Sequence, residues 1–360
     1  MQRRGWDSNP RGTQRPLTVF ETAPFNRSGT PPGISAVKAS GVACAERALS
    51  RPITVPDMRR RGVIANVSSV VLLCVLAGLS GCGGGGSTGT GKSVQACGKV
   101  APGSASYRHV IWLWMENHDY ESVIGSSSAP FLNSLAADCG LATNYHAITN
   151  PSLPNYIAAT SGTGGYKLNP FYSDCEPSGY CSTGVKSIFN QVESWRAYQE
   201  SMPTPCARQD DGEYLARHNP PIYYRSLSGC TERDLPLPAF QRDLNSDSLP
   251  AFSFVTPNRC NDAHDCPMNE GDDWLADEIP HIIDSPAYQS GHTVLFITFD
   301  EGENGSRVAT FVVGPSTPKG RRSGAAFNHY SLLRTAEDLL GVPPLGSAKT
   351  ADSMAQSFGL

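Results

Sequence analysis

Four short stretches of this 360-residue chain carry side chains that could do chemistry together. Glu116-Asn117 and Asp300-Glu301 each set a carboxylate beside an amide or a second carboxylate, and Asn261-Asp262-Ala263-His264-Asp265 adds two acids and an imidazole. The fourth is Asn150-Pro151-Ser152-Leu153-Pro154-Asn155, where two prolines stiffen the turn around a serine. Carboxylates brought close together repel one another unless a cation lies among them. Oxygen-rich donor sets select hard divalent ions such as Mg, Ca or Mn, and an added imidazole widens the choice to Zn or Fe. A serine hydroxyl beside such an ion can lose its proton and attack phosphorus, with a helix N-terminus favouring the phosphate's charge. Each stretch also has a plainer reading, since Asp and Asn are common in turns and Ser152 has the position of a helix N-cap.

The elements that would position these groups are legible as apolar runs. His109–Met115, Thr293–Phe299 and Ala309–Val313 are short, β-branched and aromatic, as buried parallel strands are, and Ala251–Val255 is a weaker fourth. Helical spacing of apolar residues occurs over 130–137, from Asn155, and over 185–200, 272–283 and 330–340. Strands alternating with helices predict an α/β fold with a mostly parallel central sheet sandwiched by helices. Residues 165–250, rich in Pro, Cys, Tyr and Ser, read as disulfide-held insertions over that sheet. In open α/β sheets ligands bind beyond the carboxyl ends of the strands, and Glu116-Asn117, Asp300-Glu301 and the 257–265 segment each come directly after a predicted strand.

Five blocks then carry a resemblance: ENHDYESVIG from Glu116, NPSLPNYIAATSG from Asn150, PNRCNDAHD from Pro257, FDEGE from Phe299 and NHYSLLRTAEDLLG from Asn328. In this order, over roughly residues 107–341, they resemble the bacterial phosphoesterase family of acid phosphatases and phospholipases C within the alkaline phosphatase superfamily. The resemblance implies an alkaline-phosphatase-like sandwich in which Glu116, Asn117, Asp300 and Glu301 hold a divalent metal. It also implies that Ser152 is a metal-bound nucleophile, passing through a phosphoseryl intermediate. Asn117 is further expected to donate to a phosphoryl oxygen. Asp262 is a ligand or orienter, and His264 binds the phosphate or protonates the leaving oxygen. His146, Asn155 and His329 are the remaining candidates for holding substrate.

Two departures qualify that transfer. Asn150 stands where many relatives have His, leaving His146 as the nearest replacement. Glu301 comes after Asp300 where two-zinc members of the superfamily usually place His, which favours one metal site or a harder metal. Three functions compete. The first is phosphomonoester hydrolysis. The second, a phospholipase C, is disfavoured because His118-Asp119-Tyr120-Glu121 replaces the longer Arg-Ser-Phe-Asp-His form. The third is a non-catalytic envelope lipoprotein.

The N-terminal part reads differently from the rest. Met58 opens Arg59-Arg60-Arg61, an apolar run from Val67 to Leu79, and Leu79-Ser80-Gly81-Cys82, the order of a secretory signal. The ending resembles a bacterial lipoprotein signal, which implies a lipid on Cys82, a flexible tether over 82–105 and a phosphoesterase domain over 106–360. Residues 1–57 then read as a mis-called translation start or a disordered arm. Residues 1–81 carry 11 basic and 4 acidic side chains, so of the chain's net charge of −4 the remainder holds −11. A body that acidic argues against nucleic acid as a partner. Eight cysteines remain between Cys97 and Cys266, an even number that in an exported chain reads as disulfides. Many connectivities are open. Cys175–Cys181 and Cys260–Cys266 have the spacing of local staples, which leaves Cys206–Cys230 and Cys97–Cys139. Without a C-x-x-C pair, a cysteine metal cluster is disfavoured.

Overall fold

A computed structural model describes residues 95–246 and 248–360; the expected start site, signal and Cys82 lie outside the described residues. The strands are β1 His109–Met115, β2 Gly140–His146, β3 Trp195–Gln199, β4 Asp234–Pro236, β5 Phe252–Thr256, β6 Thr293–Phe299, β7 Arg307–Val313, β8 Arg322–Ser323 and β9 Phe327–Asn328. The longer helices are α1 Pro130–Asp138, α2 Ser152–Ser161, α3 Pro238–Asn245, α4 Met268–Asp284 and α5 His329–Leu340. The strands form one sheet in the order β4-β3-β5-β1-β6-β7-β2-β8, with β9 also pairing with β2. β1, β5 and β6 are buried almost end to end, as their unbroken apolar runs require of strands covered on both faces.

Alternation along β1 sets the layers. Trp114 faces one side, its ring 4.8 Å from Tyr156 on α2 and 4.9 Å from His329 at the start of α5. Met115 faces the other side, where Gly271 of α4 lies so close that a Cβ there would sit 3.0 Å from the Met115 Cε. Helices α2 and α5 therefore cover one face and α4, with α1 packed on it, covers the other.

Three expectations change. Residues 185–200 are not a helix: a short 3-10 turn, Ile188–Asn190, leads into β3, which pairs in parallel with β5 from Trp195↔Phe252 to Gln199↔Thr256. Pairing with an already buried strand outweighs the helical spacing of Ile188, Val192 and Trp195. Residues 165–250 thus supply two strands of the sheet, β3 and β4, besides insertions. β7 is buried as expected but runs antiparallel to β6 and to β2, because a short connection leads straight from β6 back into β7. The other pairings of the sheet are parallel.

All four expected cysteine pairs are present: Cys97–Cys139, Cys175–Cys181, Cys206–Cys230 and Cys260–Cys266. Four disulfides place this domain outside the cytoplasm. The described part of the segment expected to be a flexible tether, residues 95–105, is held to the domain by the first of them and by Gly98 N donating to Thr317 O at 2.8 Å. Among the described residues no helix is long and apolar enough to cross a membrane.

Candidate active site

Strand register brings the acids together. β1 and β6 are parallel neighbours with Met115 opposite Phe299, so Glu116 and Asp300 emerge side by side, one strand spacing apart. β5 lies on the other flank of β1, and the loop after it turns back until Glu116 N donates to Asp262 O at 2.9 Å. Helix α2 approaches the same edge with its first residue, Ser152. Pro151 is the N-cap and Ser152 the first helical residue, so the capping reading of the hydroxyl does not hold. Instead Ser152 Oγ donates to Glu116 Oε2 at 2.9 Å, while Asp174 Oδ1 accepts the first-turn amide of Leu153 at 2.8 Å. The Asn150–Pro151 peptide entering this turn is cis.

Glu116 is the centre of the cluster and is fully buried. Its Oε1 accepts the Tyr156 hydroxyl, one helical turn beyond Ser152. Asn117 adopts a left-handed backbone, φ 50°, which lets its amide donate to Asp300 Oδ1 at 3.1 Å. Asn155 Nδ2 donates to Glu301 Oε2 at 3.1 Å. Burial and the like charges of Asp300 and Asp262 push the Glu116 carboxyl well above its usual range. Burial raises Asp262 and Asp300 to about 7, and burial with the Asp300 charge raises Glu301 to about 9. Four carboxyls in so dry a space hold either protons or a cation.

A histidine absent from the sequence reading completes the site. His218, on a 3-10 turn within the 165–250 region, is fully buried between Glu116 and Asp262. Its Nδ1 lies 3.0 Å from Asp262 Oδ2 and its Nε2 3.5 Å from Glu116 Oε2, and its ring stacks on Tyr156 at 6°. Burial lowers its pKa to about 3, so the ring is neutral. With the proton on Nδ1, the Nε2 lone pair faces a carboxylate oxygen, an arrangement that calls for a proton or a cation between them. No motif marks His218; proximity in space alone identifies it.

The donor set fits a divalent metal. Asn117 Oδ1, Asp300 Oδ2 and His218 Nε2 are buried without a hydrogen-bond partner, the condition in which coordinating atoms are left when no ion is present. Glu116, His218 and His264 each offer an atom within 4.8 Å of the others. Glu116 therefore belongs both to an oxygen set with Ser152, Asn117 and Asp300 and to a mixed set with the two histidines and Asp262. The nitrogen donors that Glu301 in place of His removed from the sequence reading are present here.

The remaining predicted residues fall in different places. His264 sits at the rim: its Nδ1 lies 2.5 Å from Asp265 Oδ1, its Nε2 lies 3.5 Å from Arg217, and burial lowers its pKa to about 4. Asn155 is buried, and its amide is consumed by Ile148 N, Thr149 N, Thr149 O and Glu301, so it positions the serine turn and does not face substrate. His329 is likewise internal, bonded by Nε2 to Asp300 O at 2.6 Å and by Nδ1 to the Tyr145 hydroxyl at 3.0 Å. It supports the Asp300 loop and has no face toward the cluster. His146, the last residue of β2, is engaged by Ser306 Oγ and Asn144 Oδ1 and bonds to none of the clustered acids.

The model of the phosphoesterase family matches residues 126–343 of this chain. A phosphatidylinositol-3-phosphatase from Mycobacterium tuberculosis is 29% identical over 321 residues, covering 87% of this chain and 98% of that protein. A phosphate-repressible acid phosphatase from Penicillium chrysogenum is 32% identical over 251 residues, 65% of this chain but 59% of the fungal protein. Among solved structures, a protein of the alkaline phosphatase superfamily from Vibrio parahaemolyticus aligns at 12% identity over 67% of this chain and 68% of that one, with a TM-score of 0.49.

Proposed function

This chain belongs to the phosphoesterase family and hydrolyses phosphate esters, and from that premise we propose that it is a metal-dependent phosphomonoesterase with Ser152 as its nucleophile. The observation that carries the proposal is the Ser152 hydroxyl donating to a fully buried Glu116 beside the unpaired oxygens of Asp300 and Asn117. Glu116, Asn117, Ser152, Asp300 and Glu301 would hold the metal, with Asp262, His218 and His264 on the adjoining side. The bound ion would lower the pKa of the serine hydroxyl and neutralise charge growing on the phosphoryl oxygens.

The chain's own groups do the rest. Glu116 Oε2 receives the hydroxyl proton as Ser152 Oγ forms its bond to phosphorus and the ester P–O bond breaks, the leaving oxygen taking its proton from solvent water at the rim. A phosphoseryl ester results, which water then cleaves to return Ser152 and phosphate. His218 is fixed by Asp262 and by stacking on Tyr156, so it orients Glu116 without competing for the proton. Arg217 and His264, in contact at the rim, would meet the phosphoryl oxygens and the leaving group. Backbone N–H groups of the α2 N-terminus favour the phosphate's charge.

Both named relatives are phosphatases, which supports a monoester substrate over the phospholipase C reading. The mycobacterial relative's name extends the candidate substrates to phosphorylated phosphatidylinositol. Ser152→Ala, assayed with saturating metal, is expected to abolish release of p-nitrophenol from p-nitrophenyl phosphate. Phosphatidylcholine is expected to remain uncleaved by the parent protein. Undiminished turnover by Ser152→Ala, or full activity in excess chelator, would overturn the mechanism. Membrane attachment through a lipid on Cys82 belongs to the same proposal, and Cys82→Ser is expected to release the protein from membranes; continued retention would contradict it.

A further inference from the structure

Helix α2 links the nucleophile to a second cavity. Ser152 begins the helix and Ser161 ends it, about 14 Å apart at the rise of an α-helix. At the Ser161 end opens a cavity of about 620 Å³ lined by Lys167, Lys186, Thr163, Tyr330 and Ser347 over a floor of glycine backbone. That floor is built by close approach: a Cβ on Gly162 would meet Leu345 O at 2.4 Å, and one on Gly164 would meet the Tyr330 hydroxyl at 2.8 Å. Gly162 O also accepts Ser347 N at 2.8 Å, which locks the two glycine loops together.

The charge of this cavity is the reverse of its surroundings. From residue 82 onward the chain carries a net −11, yet the cavity is lined by two lysines and by no carboxylate among the described residues. Neither lysine has a salt-bridge partner among the described residues. A helix C-terminus is the electronegative end and by itself repels anions. Here Gly162 N takes up Ala158 O, and the two lysines stand against the remaining charge of the helix end. A second, smaller cavity, lined by Asn150, Pro154 and Tyr172, shares Gly165 with the first. The two cavities meet there, and Asn150 and Pro154, which line the smaller one, flank Ser152 in the chain.

We propose that these two cavities seat an extended phosphoester, with a second phosphate group held by Lys167 and Lys186 while the scissile one lies at Ser152. The inference rests on the phosphomonoesterase reading above and adds to it a substrate class, esters bearing a second phosphate remote from the scissile one, toward the far end of α2. Lysine suits this task as a mobile point charge for phosphate, with the Thr163 and Ser347 hydroxyls as neutral donors.

The test compares the full-length parent with Lys167→Ala/Lys186→Ala, using medium-chain inorganic polyphosphate and orthophosphate as inhibitors of p-nitrophenyl phosphate hydrolysis. The inhibition constant for polyphosphate is expected to rise about tenfold in the double variant, the loss of two exposed ion contacts, with the difference shrinking at high salt. Turnover of p-nitrophenyl phosphate and inhibition by orthophosphate are expected to stay within about twofold, because neither lysine touches the catalytic cluster. An unchanged polyphosphate constant overturns the proposal. Equal losses for orthophosphate and polyphosphate would mark a site for free phosphate and overturn the two-point substrate. If the parent fails to hydrolyse p-nitrophenyl phosphate, that failure belongs to the phosphomonoesterase reading. Calorimetric binding of polyphosphate to the same two proteins then decides the cavity by the same tenfold criterion.

Discussion

Loading the metal site should release protons, and the carboxyl cluster sets their number. In the metal-free protein Asp262 and Asp300 titrate near 7 and Glu301 near 9, with Glu116 pushed well above its usual range. At pH 7 the two aspartates are therefore each about half protonated, while Glu301 holds most of a proton. A divalent ion coordinates the ionised forms, so binding at pH 7 should expel about two protons from Asp262, Asp300 and Glu301, or about one if Glu301 stays out of the coordination. Apparent metal affinity accordingly rises steeply with pH through the neutral range and levels off above about 9. Stability of the chelated protein moves the opposite way. These acids hold protons in the folded state that the unfolded chain gives up above its ordinary carboxyl pKa near 4, so stability falls as pH rises from about 4 to about 9. Bound metal should flatten that slope. The assay is titration calorimetry of chelator-stripped protein with manganese and with zinc, in two buffers of different ionisation enthalpy. Heats independent of the buffer for both metals would mean that no protons are exchanged, and the acid cluster would not be the metal site.

Other consequences separate the groups that build the site from those that merely resemble ligands. Tyr156→Phe removes a donor from Glu116 and should weaken metal binding about 10- to 100-fold with the fold intact, read by the metal concentration that restores half of full activity. His218→Ala should lower kcat/KM by a similar 10- to 100-fold factor, whereas His146→Ala should leave it within about twofold. Parallel losses in both histidine variants would contradict the placement of His146 outside the site. Asp234, fully buried with one oxygen accepting from Asn219 and the other unpaired, is raised by burial to about 7. The folded state then binds a proton that the unfolded chain loses above about 4, so stability declines between pH 4 and pH 7 by about 4 kcal/mol from this group. Asp234→Asn should remove that part of the slope in urea unfolding at pH 5 and pH 7.5; identical slopes in the two proteins would refute the assignment.

The chain announces the parts of this protein that depend on local composition. His109–Met115 and Thr293–Phe299 are strands at those bounds because an unbroken run of β-branched and aromatic side chains suits burial on both faces. Residues directly after such strands in an α/β sheet lie at its carboxyl edge, so Glu116 and Asp300 are legible as a pair from their positions in the chain. The disulfides are legible for a related reason, since a separation of six residues confines both cysteines of each short pair to one loop.

The features that the sequence could not supply depend on contacts between distant segments. Ile188, Val192 and Trp195 have helical spacing, and only the exposed hydrogen-bonding edge of β5 makes Trp195–Gln199 a strand instead. His218 lies in a region without periodicity, and its role arises because that turn packs against α2, stacking the ring on Tyr156 and setting it between Glu116 and Asp262. His329 shows the converse, a histidine in a family block that the packing of α5 against β1 turns inward to hold a backbone carbonyl. The charge reversal at Lys167 and Lys186 is of the same kind, since those residues meet Ser347 only where α2 ends against the C-terminal loops. Composition and order determined which residues could bind a metal and attack phosphorus. Tertiary packing decided which of them are dry, unpaired and close enough to do so, because burial and proximity set the charge and reactivity of every group in the site.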